Sequence, residues 1–104
     1  MAACEAFYIE DVDQNLVDSL INGLAQSGSE IDGNNPWRVD LNQHGIKIEA
    51  EWNSELRELK ITVTNKNIYV GCRKVESEMR TNIDNLRGGE SLGPTLFNLD
   101  IPLV

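Results

Sequence analysis

The sequence predicts an α+β domain in which an antiparallel sheet is covered on one face by two helices. Two segments place apolar residues at helical spacing, three segments between them alternate apolar and polar residues, and a final apolar segment alternates as well. The predicted element order is α-β-β-β-α-β, a two-layer sandwich with a three-stranded meander and a C-terminal edge strand. The length of 104 residues fits a single α+β domain spanning residues 1–104.

The first predicted helix covers residues 12–27. Its apolar residues form one stripe: Val12, Leu16, Val17, Leu20, Ile21 and Leu24. Asp11 is the predicted N-cap, with Gln14 completing a capping box, and Gly28 is the predicted left-handed glycine after the helix. The preceding residues 6–9 fit either a short strand or an N-terminal arm, and residues 28–36 are turn formers that predict a loop.

Three predicted strands follow, separated by two short loops. In the first hairpin Leu41 is placed opposite Ile46. In the second hairpin Trp52 is placed opposite Arg57. The polar face then carries charges of alternating sign, and it is interpreted as an internally paired, solvated face: Arg38, Asp40, Lys47, Glu49 and Lys60.

The second predicted helix covers residues 70–87. Its apolar seam consists of Cys72, Val75, Met79, Ile83 and Leu86. The seam favours a buried Cys72 that acts as a small apolar side chain. The C-terminal segment, residues 96–104, places Phe97, Leu99 and Ile101 on one side of an extended chain, and Pro102 restricts it to an edge strand or a docking segment.

Acidic residues are concentrated in the first third of the chain. The net charge is −8, and residues 1–37 contain seven acidic residues with no Lys or Arg. The remainder has ten acidic residues against nine basic ones and is close to neutral. This charge disfavours nucleic acids and anionic membranes as partners, because both would repel the protein.

Cys4 and Cys72 are isolated from each other and from metal-binding motifs in the sequence. Two free thiols fit a reducing compartment, and the first residues lack the basic and apolar regions of a secretory signal. We therefore expect a cytoplasmic protein. A disulfide between the two cysteines in an oxidising compartment remains an alternative.

No catalytic or cofactor-binding pattern stands out. His44 is the only histidine and falls in a hairpin loop, with no spacing that indicates a nucleophile partner. The acidic residues around residues 10–13 and 30–34 lack the spacing of a calcium loop. We expect no catalytic residues, no metal and no cofactor.

These observations favour a non-enzymatic protein-binding or adaptor domain that self-associates as a homodimer through its C-terminal segment. An alternative is an acidic inhibitor or immunity-type protein that binds a basic partner through Asp11, Asp13 and Asp18. A further alternative is a small ligand-binding protein or enzyme with a pocket between the helices and the sheet. That pocket would involve Trp37, Trp52 and Met79.

Overall fold

The computed structural model describes residues 3–42 and 44–88, which form a five-stranded antiparallel sheet and two helices. In chain order the elements are β1 (Phe7–Ile9), α1 (Gln14–Gln26), β2 (Glu30–Gly33), β3 (Trp37–Asp40), β4 (Lys47–Asn53), β5 (Glu58–Asn65) and α2 (Cys72–Arg87). The strand order across the sheet is β1-β5-β4-β3-β2. The α+β class and the central meander are confirmed, and two further strands extend the sheet at its edges.

The two additional strands come from segments that the sequence left undecided or misassigned. Residues 7–9, which fitted either a strand or an arm, form β1 and pair with β5. The prediction of a loop over residues 28–36 is wrong, because Glu30–Gly33 forms β2 and pairs with β3. The predicted C-terminal strand at residues 96–104 lies outside the described residues.

The core lies between one face of the sheet and both helices. Every second residue of the strands points into it, so that rows such as Ile31, Val39, Ile48 and Val63 run across the sheet. The helices contribute buried side chains at helical spacing: Val17, Leu20 and Leu24 from α1, and Val75, Met79 and Ile83 from α2. Burial of these apolar surfaces is the main force that holds the layers together.

Helix α1 begins later than predicted. Asp13, and not Asp11, is the N-cap, and its Oδ1 accepts a hydrogen bond from the backbone N–H of Leu16 at 2.8 Å. Asp11 instead has a φ of 57°. The start is delayed because Val12 is held in the sheet region, where its N–H donates to the Arg57 carbonyl at 2.8 Å.

The end of α1 follows the prediction for Gly28. This residue has a φ of 96°, and its N–H donates to the Ala25 carbonyl, while Ser29 N–H donates to the Leu24 carbonyl. The two hydrogen bonds form a Schellman motif, which turns the chain directly into β2. The left-handed backbone is what favours a glycine here. Lack of space is not the reason, because a Cβ at this position would meet nothing within 4 Å.

The predicted register of the first hairpin is confirmed. Leu41 N–H donates to the Ile46 carbonyl at 3.0 Å, and Val39 lies opposite Ile48. The register of the second hairpin is wrong by two residues, because Trp52 lies opposite Leu59 instead of Arg57. A shift of two residues leaves the same side chains on the core face, so the alternation could not reveal it.

The second loop, residues 54–57, is stabilised by Asn53. Its Oδ1 accepts hydrogen bonds from the backbone N–H groups of Glu55 and Leu56. Arg57 completes the loop with a φ of 53°. The observed register places Lys60 opposite Glu51, whereas a register with Trp52 opposite Arg57 would place Glu58 there, with two like charges facing each other.

Cys4 and Cys72 form a disulfide, with their Cα atoms 5.8 Å apart. The prediction of two free thiols, with Cys72 buried on the seam of α2, is therefore wrong: Cys72 is the first residue of α2 and is exposed. Backbone N–H groups of Ala3 and Cys4 donate to the Val63 carbonyl. These bonds bring the N-terminal arm along β5 to the start of α2, where the two sulfurs meet.

Neither helix within residues 3–42 and 44–88 has both the length and the apolar character needed to cross a membrane.

Candidate functional site

The two edges of the sheet differ in how their outward backbone groups are used. At the β1 edge, Arg80 of α2 donates from Nη2 to the Tyr8 carbonyl at 3.2 Å, and Arg87 donates from Nη2 to the Glu10 carbonyl. These carbonyls point away from β5, so they would otherwise be available to another strand. Two guanidinium groups of α2 therefore occupy the hydrogen-bonding positions on the outer side of β1.

Arg80 is held in place by two other contacts. Its Nε donates to Oε2 of Glu76 at 2.9 Å, one turn earlier in α2. Its guanidinium carbon lies 5.4 Å from the ring centroid of Phe7, within the range of a cation–π contact. The group is thus positioned against both the side chain and the backbone of β1.

The β2 edge is different. Within the described residues no strand pairs with its outer side. Leu41 N–H donates to the Ile46 carbonyl, and backbone hydrogen bonds alternate in direction along an antiparallel strand. The odd-numbered residues of β3 therefore direct their N–H and C=O groups toward β4, and Arg38 and Asp40 direct theirs toward β2.

Ile31 directs its backbone outward from the middle of β2. Glu30 lies opposite Asp40 and Asp32 lies opposite Arg38, so the backbone groups of these two acidic residues face β3. The N–H and C=O of Ile31 then point away from the sheet, while its side chain packs against the core. An N–H and a C=O at the centre of an edge strand are the groups to which another extended chain can bond.

Both ends of β2 are fixed. At one end Asn42 donates from Nδ2 to the Gly28 carbonyl at 2.9 Å, which continues the β2–β3 ladder beyond Glu30. At the other end Gly33 has a φ of 84°, and a Cβ there would lie 2.8 Å from the Pro36 carbonyl oxygen. The turn to β3 is therefore tight, and β2 is held as a short, defined edge.

The loop after β2 is fixed to β4 by the side chain of Asn35. Its Nδ2 donates to the Trp52 carbonyl at 3.0 Å, and its Oδ1 accepts from the Trp52 N–H at 2.8 Å. This is the position at which a residue of a longer β3 would pair with Trp52, since Trp37 lies opposite Ala50. The amide thus replaces one backbone pair of the sheet.

The side chains of β2 contribute to the open face of the sheet, the side away from the helices. A shallow concavity on this face adjoins β2, and most of its lining residues are charged: Glu30, Asp32, Arg38, Asp40, Lys47 and Glu49. The ion pairs within 4 Å among residues 3–42 and 44–88 are Arg57–Asp13, Lys74–Glu78 and Arg80–Glu76. Arg38 lies opposite Glu49 and Asp40 lies opposite Lys47, as predicted, whereas Lys60 lies opposite Glu51 and not Glu49. None of these cross-strand neighbours forms an ion pair within 4 Å.

The three acidic residues predicted to bind a basic partner have different surroundings. Asp13 caps α1, and its Oδ2 lies 3.9 Å from an Nη2 of Arg57. Asp18 accepts a hydrogen bond at Oδ1 from Nε2 of Gln14 at 3.0 Å. Asp11 is exposed at the turn into the helix. Local structure therefore uses two of these three carboxylates, and their role in binding stays a prediction.

The predicted pocket residues lie around the core. Met79 is 0% exposed and belongs to the core cluster beneath α2. Trp37 and Trp52 are half-buried on adjacent strands, and Nε1 of Trp52 donates to the Val12 carbonyl at 2.9 Å. Trp52 also lines a shallow surface concavity with Asn35 and Glu55. A ligand pocket formed by these residues stays a prediction, as does partner binding by Phe97, Leu99 and Ile101, which lie outside the described residues.

His44 lies in the loop between β3 and β4, as predicted, with a φ of 52°. Its Nδ1 is 3.5 Å from the Tyr69 hydroxyl, which accepts a hydrogen bond from Nδ2 of Asn67 at 2.9 Å. Ile68 beside them is 97% exposed. In the described part of the chain, no group of three or more His, Cys, Asp or Glu residues is placed to hold a metal ion.

Strand β2 has little signature in the sequence because it contains a single apolar residue. Ile31 stands between Glu30 and Asp32, and the alternation is too short to distinguish from a polar loop. One local signal was available, since Asp32-Gly33 is a dipeptide typical of hairpin turns.

No protein-family model matches the chain, and comparisons with curated protein sequences and with solved structures find no similar protein.

Proposed function

We propose that the chain is a non-enzymatic protein-binding domain whose partner adds an extended strand to the outer edge of β2. The observation that supports this is the outward-facing backbone of Ile31 on a short edge that is fixed at both ends. Strand addition uses main-chain hydrogen bonds for affinity and neighbouring side chains for specificity. It needs no catalytic group.

The contrast between the two edges supports the choice of β2. Natural proteins often protect sheet edges with charged side chains or by covering them. Arg80 and Arg87 provide such protection at β1. A corresponding side chain is not found on the outer backbone of Ile31 within the described residues. Among the residues that the structure describes, one edge is therefore closed and the other is accessible.

Self-association and location in the cell are tested separately from strand addition. A homodimer formed through residues 96–104 stays a prediction, since those residues lie outside the described ranges. The Cys4–Cys72 disulfide counts against a cytoplasmic location, because disulfides persist mainly in oxidising compartments. Thiol trapping in the native host decides this point. Two cysteines that resist alkylation until a reductant is added indicate an oxidising compartment, and two cysteines that are alkylated directly indicate the cytoplasm.

The strand-addition proposal is tested with a neutral nine-residue peptide that alternates Thr and Val. Titration followed by amide NMR should shift the signals of β2, with the Ile31 N–H among those that move most. A peptide of the same sequence with N-methylated amides on its bonding edge should not produce these shifts. Shifts confined to other surfaces, or equal shifts with the methylated peptide, would overturn the proposal.

Ile31→Pro provides a matched variant. The proline removes the outward N–H but leaves the bonds between β2 and β3, which use the groups of Glu30 and Asp32, so the fold should be retained. Retention is checked by the hydrogen-exchange protection of the β4 and β5 amides. The variant should lose peptide binding, and unchanged binding by a folded variant would contradict the proposal.

A further inference from the structure

We infer that the strand accepted by β2 is basic and belongs to another protein: it alternates Lys or Arg with apolar residues. This inference rests on the proposed function and adds the chemistry of the partner. It follows from the positions of Glu30 and Asp32 relative to the outward backbone of Ile31.

Glu30 and Asp32 flank the bonding residue of the edge. Because Ile31 would form the hydrogen-bonded pair with an added antiparallel strand, the two acidic residues would form non-hydrogen-bonded pairs with it. In such pairs the Cα atoms are only about 4.5 Å apart and the side chains are closest. Opposite charges at these two positions on the partner would therefore meet both carboxylates directly.

The two carboxylates are exposed and available. Neither Glu30 nor Asp32 takes part in an ion pair within 4 Å among the described residues, although Arg38 lies opposite Asp32 on β3. Asp40 of β3 lies opposite Glu30 and on the same face of the sheet. The side of the open face next to the edge is thus acidic and would attract a cationic segment during approach.

The apolar half of the alternation follows from the other face of the sheet. Ile31 is half-buried and packs against the core cluster, in a row with Val39 and Ile48. A residue of the added strand opposite Ile31 would extend this row. An apolar side chain is favoured there, while basic side chains on either side of it point to the open face.

The β2 strand of a second copy is a poor occupant of this edge. Two β2 strands related by a twofold axis can face each other only with a residue opposite itself at the centre. A register centred on Ile31 places Glu30 opposite Asp32 twice, and registers centred on Glu30 or Asp32 place an acid opposite the same acid. Like charges directly opposite each other are destabilising, so every central register is disfavoured.

The experiment compares three nine-residue peptides that alternate Val with Lys, Thr or Glu. The Lys peptide should bind about tenfold more tightly than the Thr peptide at about 0.05 M salt, and this advantage should shrink at about 0.5 M salt. The Glu peptide should bind more weakly than the Thr peptide. The Glu30→Gln/Asp32→Asn variant should bind the Lys and Thr peptides equally.

A control variant separates local pairing from net charge. Glu5→Gln/Asp18→Asn removes the same number of charges away from β2 and should keep the preference for Lys. An equal loss of preference in both variants would overturn the inference. Equal binding of the Lys and Thr peptides by the wild type would overturn it too, but would leave strand addition intact. Absence of binding by all three peptides would overturn the proposed function itself.

Self-pairing is tested by light scattering and by NMR at rising protein concentration. The inference expects the β2 amide signals to be independent of concentration. Concentration-dependent shifts centred on Ile31, with growth in mass to a dimer, would identify a second copy as the occupant and would overturn the inference.

Discussion

Arg80 of α2 donates a hydrogen bond to the backbone carbonyl of Tyr8, with an Nη2···O distance of 3.2 Å, on the outer side of β1. This contact joins two residues that are 72 positions apart in the chain. Helix α2 therefore covers the core with its apolar face and occupies one edge of the sheet with Arg80. The opposite edge, at Ile31, has no equivalent within the described residues, and this difference underlies the proposed binding mode.

Replacement of Arg80 should weaken the fold and open the β1 edge. Arg80→Met removes the bond to Tyr8, the pair with Glu76 and the contact with Phe7, while it keeps a long side chain. We expect the free energy of unfolding to fall by about 1 kcal/mol, since these contacts are partly solvated. Urea denaturation followed by tryptophan fluorescence measures the change. Arg73→Met, on an exposed position of the same helix, should have little effect; equal effects would contradict the edge-capping role.

The N-cap of α1 can be tested by removal of its carboxylate. Asp13→Ala should lower the free energy of unfolding by about 1 kcal/mol, because the Leu16 N–H loses its acceptor. Asp18→Ala removes the same charge from the helix interior and should be close to neutral, since alanine has the higher helix propensity. Thermal denaturation followed by circular dichroism compares the two variants. A larger loss for Asp18→Ala would show that capping is not the dominant effect.

Asn35 should be sensitive to loss of its amide donor. Asn35→Asp retains an acceptor for the Trp52 N–H but places a carboxylate oxygen against the Trp52 carbonyl. Aspartate also tolerates the left-handed backbone at this position, where φ is 43°. We expect a loss of about 1–2 kcal/mol in the free energy of unfolding, measured by urea denaturation. Asn34→Asp adds the same charge to the adjacent loop residue and should be within about 0.5 kcal/mol of wild type.

The disulfide should contribute strongly to stability. Cys4 and Cys72 are 68 positions apart, so the bond closes a loop that includes most of the described residues. The Cys4→Ser/Cys72→Ser variant should lose about 2–4 kcal/mol in the free energy of unfolding. Guanidinium denaturation with and without a reductant measures this change. Wild-type protein should shift to the behaviour of the variant when it is reduced, and the variant should not respond; a wild type that is insensitive to reduction would contradict the prediction.

The sequence predicted the parts of the fold that depend on local periodicity. Both helices were expected from apolar stripes, and β3 to β5 were expected from alternation. The first hairpin register was correct because it also places opposite charges across from each other, Arg38 with Glu49 and Asp40 with Lys47. The second was wrong by two residues, because such a shift keeps the same side chains on the core face and the position of the turn depends on the hydrogen bonds that Asn53 makes within it.

The candidate site was less accessible to sequence reasoning. The concentration of acidic residues in residues 1–37 was evident, and it includes Glu30 and Asp32. The sequence does not reveal that these two residues lie on an edge strand, because the single apolar residue Ile31 is too little to predict a strand. That segment becomes a strand through its pairing with β3 and its packing against the core.

The sequence by itself determined the α+β class, the buried faces of the helices and central strands, and the location of the excess negative charge. These properties follow from periods of two and 3.6 residues and from composition, which are local. The tertiary structure alone decided which strands lie at the edges, that Arg80 and Arg87 close one of them, and that Cys4 reaches Cys72. Such relationships join residues far apart in the chain, and they exist only once burial of the core has set the order of the strands.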